Sequence, residues 1–299
     1  MATARDLNFI YTTIDRMFRL SIGEQADFSG AKYDGNFSLT LEAAQHRKHA
    51  FIADEIRLAA GSRVLDLGCG WGPFLAFARA RDAVGVGVTL SQGQAAACRR
   101  QGLDVHIADC RTVTPAMFGR FDALVSIGAF EHFCSREEFA GGRQEAVYRN
   151  FFVHARGVVP AGGRFYLQTM VFGRRMIPPD QISLEAPRLS DGHVLALLQA
   201  TFPGSWLPSG LAQITDAAAP HFRVVSSESG RLDYIQTIRE WRRRFAEFTV
   251  AKLAVKLTLV PRYLLSRDFR NAFASGISAN TICFERELLD HFRIVLEAI

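Results

Sequence analysis

The sequence predicts an α/β fold, a mostly parallel sheet with helices on both faces, and three observations carry that reading. From residue 62 onward, short β-branched runs alternate with helical stretches, and a glycine-rich turn directly follows the first run. Of the 299 residues, 48% are apolar, enough for one sizeable core.

In chain order, residues 1–60 read as a helical segment with loops that precedes the sheet. VLDLG (64–68), VGVGVTL (84–90), VHIAD (105–109), ALVSIG (123–128) and RFYLQT (164–169) read as strands, and the segments between them as helices. Between about 171 and 219, the turn-rich stretches IPPD, FPGSW and LPSG break the alternation and suggest an inserted cap over the ligand site. HFRVVSS (221–227) reads as a further strand, and a long helix begins near residue 231. The expected organisation is an N-terminal segment, 1–60, laid over the site, followed by one domain, 61–299, that carries the insertion.

Composition narrows the function. The formal charge of +5 comes from scattered basic residues with no nucleic-acid module, so no nucleic-acid partner is expected. Cys69, Cys98, Cys110, Cys134 and Cys283 show no CxxC spacing, which implies a reducing compartment without disulfides and no zinc site. The N-terminus lacks the apolar stretch of a signal peptide and no run suits a membrane span, so a soluble, cytoplasmic protein is expected. The 24 Phe against 3 Trp and 6 Tyr serve either an aromatic core or a pocket for an apolar ligand.

Ligands of such sheets bind beyond the carboxyl ends of the strands, so the residues that close each run define the candidate site. VLDLGCGWG places Asp66, Gly68, Gly70 and Gly72 in the pattern DxGxGxG between strand and helix, which suits S-adenosylmethionine better than the dinucleotide spacing GxGxxG. The second strand ends in Thr89, Leu90 and Ser91, with Gln94 one turn on, either bonding ribose hydroxyls through its amide or facing solvent. Asp109 and Cys110 close the third strand. There Asp109 either accepts from the adenine amino group, beside a donor from the Cys110 backbone, or caps the next segment. The fourth run ends in SIGAFEHF, bringing Glu131 and His132 to the same rim. An ionised Glu131 suits a developing positive charge or the start of the next helix, and His132 reads as a hydrogen-bonded structural residue. His46 and His49 read as surface positions with no metal constellation.

VLDLGCGWG, GVTLSQGQA, SIGAFEHF, FPGSWLPS and YIQTIREW occur in the order found in cyclopropane fatty acid synthases and mycolic acid cyclopropane synthases. FRLSIGEQADFSGAKY followed by LTLEAAQHRK is similar to their N-terminal segment, so the resemblance spans about residues 14–242. It implies a Rossmann-like class I methyltransferase with a seven-stranded sheet, S-adenosylmethionine as cofactor, and alkylation of an alkene carbon in a lipid chain. By motif, it places Phe28, Ser29, Gly68, Gly70, Thr89, Leu90, Gln94, Asp109, Cys110 and Ile127 around the cofactor, beside Asp66 and Gly72, and turns Glu131 and Tyr234 toward the reacting centre. The carbocation left by methyl transfer then loses a proton, by ring closure or another route, and in the family a bound bicarbonate serves as base.

Two departures bear on that base. Gly30 stands where the family has a Cys, and Gln168 where it has a His, so bicarbonate and ring closure are put in question. Gln168 keeps a donor amide and stays with Glu131 and Tyr234 as a catalytic candidate. The apolar substrate is either a lipid or a specialised metabolite. An N-methyltransferase like the coclaurine group, or a non-catalytic lipid or cofactor carrier, are the alternatives. FTVAKLAVKLTLVPRYLLSR (248–267) sets Lys252 and Lys256 one turn apart, either for peripheral contact with anionic lipid or as solvated lysines on a packed helix.

Overall fold

Seven strands form one sheet in the order β3-β2-β1-β4-β5-β7-β6. The computed structural model describes residues 19–22, 26–201, 204–265 and 279–299. Much of the N-terminal segment, residues 1–18 and 23–25, lies outside the described residues, as do Phe202 and Pro203 of the FPGSW stretch. Helix α1 (Leu41–Glu55) precedes β1 (Arg63–Leu67), which leads to α2 (Pro73–Arg79), β2 (Val84–Thr89), α3 (Gln92–Arg100) and β3 (Asp104–Ile107). Then come α4 (Pro115–Phe118), β4 (Ala123–Ile127), α5 (Arg136–Ala140), α6 (Gln144–Val158) and β5 (Arg164–Phe172). The remainder is α7 (Asp191–Thr201), α8 (Leu211–Ala218), β6 (Phe222–Ser229), α9 (Arg231–Ala246), α10 (Val250–Leu265) and β7 (Leu289–Ala298).

The first five strands run parallel, as the alternation predicts, and β7 enters antiparallel between β5 and β6. The sequence reading assigns no element to β7. It stops β5 at Thr169, whereas the strand continues to Phe172 because β7 pairs along its whole length.

Side chains alternate across each strand, so one β-branched run feeds two cores. On one face Val64, Val125, Tyr166 and Val295 pack with Ile52 and Ile56 beside α1 and with Phe74 and Ala78 of α2. On the other, Leu65, Leu124, Phe165, Leu167 and Leu296 meet α6 through Tyr148, Phe151 and Phe152. Here the phenylalanines cluster: Phe130 lies 4.7 Å from Tyr148, and Phe151, Phe152, Phe165 and Phe222 form a chain of ring contacts. Most of the aromatic excess is core.

The segment that joins β5 to β6 in the chain, expected as a cap, packs onto the main core. Val194, Leu195, Trp206 and Ile214 bury themselves in the main core, and Trp206 stacks on Phe139 at 4.2 Å.

The third glycine of the turn shows how local sequence fixes packing. Gly72 sits at φ 75° just before Pro73 opens α2, and a Cβ there would lie 2.7 Å from Leu103 Cδ1 and 3.1 Å from Cys98 Sγ. A left-handed backbone and a filled space both demand glycine. Gly72→Ala is therefore expected to cost about 1–3 kcal/mol of stability in denaturant melts, with ligand affinity in the surviving folded fraction unchanged.

Candidate active site

The carboxyl ends of β1, β2 and β4 open on a cavity roofed by residues 26–30 and walled by Tyr234 of α9 and His291 of β7. The glycines of the turn divide the work. A Cβ on Gly68, at φ 91°, would fall 2.3 Å from Ala129 Cβ, so this glycine permits close packing of the β1 and β4 ends. Gly70, at φ 55°, has nothing within 4 Å of where a Cβ would stand and lines the cavity, which leaves backbone bare to a ligand. Gly72, expected among the ligand contacts, instead packs behind α2 against Leu103 and does not line the cavity.

At the end of β2, Ser91 caps α3 and the Thr89 hydroxyl donates to Gln94 Oε1 at 2.9 Å. Gln94 is 6% exposed and lines the cavity with Thr89 and Leu90, which excludes the solvent-facing alternative. Asp109 realises its capping alternative: its carboxylate accepts from the Arg111 backbone N–H and pairs with the Arg111 guanidinium, both at 2.9 Å. It still lines the cavity beside Cys110, whose thiol burial pushes up, and Ile127 reaches the same wall.

The roof is held by a buried polar network on the inner face of α1. Lys48, fully buried, donates to Asp27 Oδ2 at 2.5 Å, Ser29 Oγ at 2.6 Å and Gln45 Oε1 at 2.7 Å. Gln45 Nε2 donates to the Ser29 carbonyl at 2.9 Å, and His49 Nε2 lies 2.9 Å from Asp27. Burial alone would raise the Asp27 carboxyl, but the Lys48 charge and His49 outweigh it and hold it well below the usual range. His49 is thus a buried residue rather than the surface one expected; His46 is exposed. Phe28, between the anchors, stacks on Trp241 at 4.7 Å.

Two further carboxyls behave differently. Asp66, 2% exposed, has an Oδ1 without a hydrogen-bond partner, and burial together with the negative charge of Asp27 pushes it up to about 8. Glu131 is 8% exposed, and burial raises it to about 8 against the pull of one bond, Met170 N–H to Glu131 Oε1 at 3.0 Å. That bond follows from topology. Strand β4 ends at Ile127 opposite Gln168, β5 runs on, and Glu131 takes the N–H that a longer β4 would have bonded. The ionised Glu131 expected from sequence is therefore neutral near pH 7 until a positive charge comes beside it.

Tyr234, 6% exposed, stands edge-on to Phe284 at 4.9 Å and stacks on His291 at 4.7 Å. Gln168 reaches the cavity, yet its amide is engaged at both ends: Oε1 accepts from the Tyr166 hydroxyl and Nε2 donates to the Gly30 carbonyl, each at 2.9 Å. His132 is hydrogen-bonded to Ser205 at 3.0 Å and pulled down by burial to about 4, a structural histidine as expected.

Of the predicted residues, all but Gly72 line one cavity. Sequence reasoning missed Asp27, Lys48, His49, Asn280 and His291. The first three carried a readable signal, since Gln45, Lys48, His49 and Ile52 recur on one helical face of α1, but polar residues there suggest solvent. Among the described residues, no His, Cys, Asp and Glu group suits a metal ion.

The chain matches the family model described as mycolic acid cyclopropane synthetase over residues 2–265. It is 31% identical over 241 residues to cyclopropane mycolic acid synthase 3 of Mycobacterium tuberculosis (strain CDC 1551 / Oshkosh), covering 77% of this chain and 78% of that protein. The structure of the cyclopropane synthase MmaA2 from Mycobacterium tuberculosis superposes with a TM-score of 0.78 at 24% identity, over 99% of this chain and 98% of the other. Mycolic acid cyclopropane synthase CmaA1, complexed with SAH and CTAB, gives a TM-score of 0.76 at 25% identity over 98% of each chain. The chain belongs to the mycolic acid cyclopropane synthetase family of S-adenosylmethionine-dependent methyltransferases.

Proposed function

We propose that this protein transfers the methyl carbon of S-adenosylmethionine to an alkene carbon of an apolar chain, and that the buried carboxyl of Glu131 is the observation that carries the reading. A carboxyl set in an apolar wall with a single hydrogen bond is poorly matched to an empty pocket and well matched to a cation. The cofactor fits the cavity: bare backbone at Gly70, an orphan oxygen on Asp66 suited to an amino group, and Thr89 with Gln94 at the ribose end. Bound there, it supplies a sulfonium methyl with a good leaving group. Glu131 and the Tyr234 ring then hold the positive charge that passes to the acceptor, and the roof residues 26–30 exclude water. The detergent with a long alkyl tail in CmaA1 supports an apolar acceptor.

The exposed stripe on α10 supports contact with lipid, though not through the lysine pair. Lys252 is 3% exposed and turns inward, its ammonium bonding the carbonyls of Arg244, in the last turn of α9, and of Glu247, just after it. Lys256 stays exposed, but the outward face is mainly apolar: Val250, Leu253, Leu257 and Val260 follow one another along it, with Leu264 beyond. In this reading the helix rests on a bilayer by its aliphatic side.

Trideuterated S-adenosylmethionine and host lipid extract are expected to give a labelled lipid by mass spectrometry, and Glu131→Gln to lower that turnover at least ~100-fold. Label on an amine instead would replace the acceptor class. A cation beside Glu131 favours its ionised form, so binding the sulfonium displaces a proton. Beside a contribution from Asp66 that any ligand with the same amino group shares, Glu131 is expected to make affinity for S-adenosylmethionine rise up to about tenfold per pH unit from pH 6 and level off near 8. The neutral thioether product lacks that component, and Glu131→Gln abolishes the difference, as calorimetry in paired buffers would show. Vesicle flotation is expected to persist in high salt and to be lost in Leu257→Glu.

A further inference from the structure

Beside Tyr234, the side chain that fills the space beyond Gly30 is an imidazole delivered by the last strand. A Cβ on Gly30 would stand 2.9 Å from His291 Cε1 and 3.1 Å from Nε2, and a Cβ on Gly230 would stand 2.9 Å from Nδ1. The two glycines thus leave room for this ring, for Tyr234, whose Cδ2 would lie 2.7 Å from a Gly30 Cβ, and for the Arg293 guanidinium, and the ring stacks on Tyr234. His291 is 2% exposed, lines the cavity, and its Nδ1 has no hydrogen-bond partner. It pairs directly across the sheet from Met170, whose N–H binds Glu131, so ring and carboxyl reach the cavity from neighbouring positions.

We infer that His291 is the proton acceptor of the reaction, the base that takes the proton released after the methyl carbon joins the acceptor. The assignment rests on the alkylation reading above. In electron terms, the S–CH3 bond breaks toward sulfur as the alkene π pair forms the new C–C bond, leaving a carbocation. A C–H pair then closes the ring or a new double bond, and the freed proton goes to the lone pair of the imidazole. Later the proton passes to water.

The surroundings suit that task. Burial lowers the histidine well below its ordinary value, and Arg293 on the same strand and Lys48 on α1 lower it further, so the ring enters the reaction neutral. A carbocation is acid enough to protonate even a weak base, so the lowered basicity does not impede capture, and the same positive neighbours favour release. Bicarbonate would find few free partners beside this ring. The imidazole and Tyr234 crowd the space next to Gly30, and Gln168 commits its amide to Tyr166 and the Gly30 carbonyl.

The test compares wild type, His291→Phe and His291→Asn with trideuterated S-adenosylmethionine and host lipid extract, with S-adenosylhomocysteine binding by calorimetry as the control for folding. The Phe substitution keeps a ring against Tyr234 without a nitrogen, and the Asn substitution keeps polarity in a smaller volume. The expected result is a fall of thirtyfold or more in kcat for both variants, KM and S-adenosylhomocysteine affinity within about threefold of wild type, and new hydrated products from the trapped cation. Wild-type rates in the His291→Phe variant would reduce the ring to a stacking support and overturn the assignment while leaving the alkylation reading intact. Wild type that binds cofactor but labels no lipid would overturn the alkylation reading, and the assignment with it.

Discussion

The antiparallel pairing of β5 with β7 is the constraint on which the site depends. It runs from Arg164 opposite Glu297 to Phe172 opposite Leu289, and sets Gln168 against Arg293 and Met170 against His291. From that register Arg293 bonds the Ala31 carbonyl and Asp233, each at 2.8 Å, tying the roof and α9 to the sheet. A slip of one residue would turn these side chains to the opposite face and leave the cavity without its His291 wall.

The second constraint is electrostatic. Lys48 and Asp27 are buried together, which is tolerable because Ser29 and Gln45 bond what remains of both groups and the His49 ring lies against Asp27. Such a network contributes little net stability compared with an apolar packing, yet it fixes residues 26–30 in one place. The negative charge of Asp27 also raises the neighbouring Asp66, so of the three buried carboxyls at the cavity two are kept neutral and one ionised. Charge is held where it anchors the chain and withheld where a ligand supplies it.

How much of this was legible in the sequence follows from range. Strands β1 to β4 and their closing residues were readable because β-branched runs and glycine turns are local signals, and Asp66, Gly68, Gly70, Thr89, Gln94, Asp109 and Glu131 sit at those run ends. β7 was not, since LLDHFRIVLEA mixes charged residues with apolar ones and its partner β5 lies far back in the chain. His291 was invisible for the same reason. Lys252 and His49 misled in a shared way, polar residues on helices being read as solvated when packing buries them, Lys252 against carbonyls at the end of the preceding helix and His49 against Asp27. The state of Glu131 required the depth of its wall, which no motif encodes.

The glycines at 30 and 230 carry a consequence for how such sites diverge. A side chain at either position and an imidazole at 291 compete for the same volume, so the three positions are expected to covary although they lie on the N-terminal segment, the turn before α9 and the final strand. In a lineage that carries a thiol at position 30, the thiol would press on the Tyr234 ring as well as on the imidazole, so both Tyr234 and position 291 would have to give way. Passage between the two arrangements crosses either an overcrowded or a hollow intermediate, which keeps each lineage on its own side.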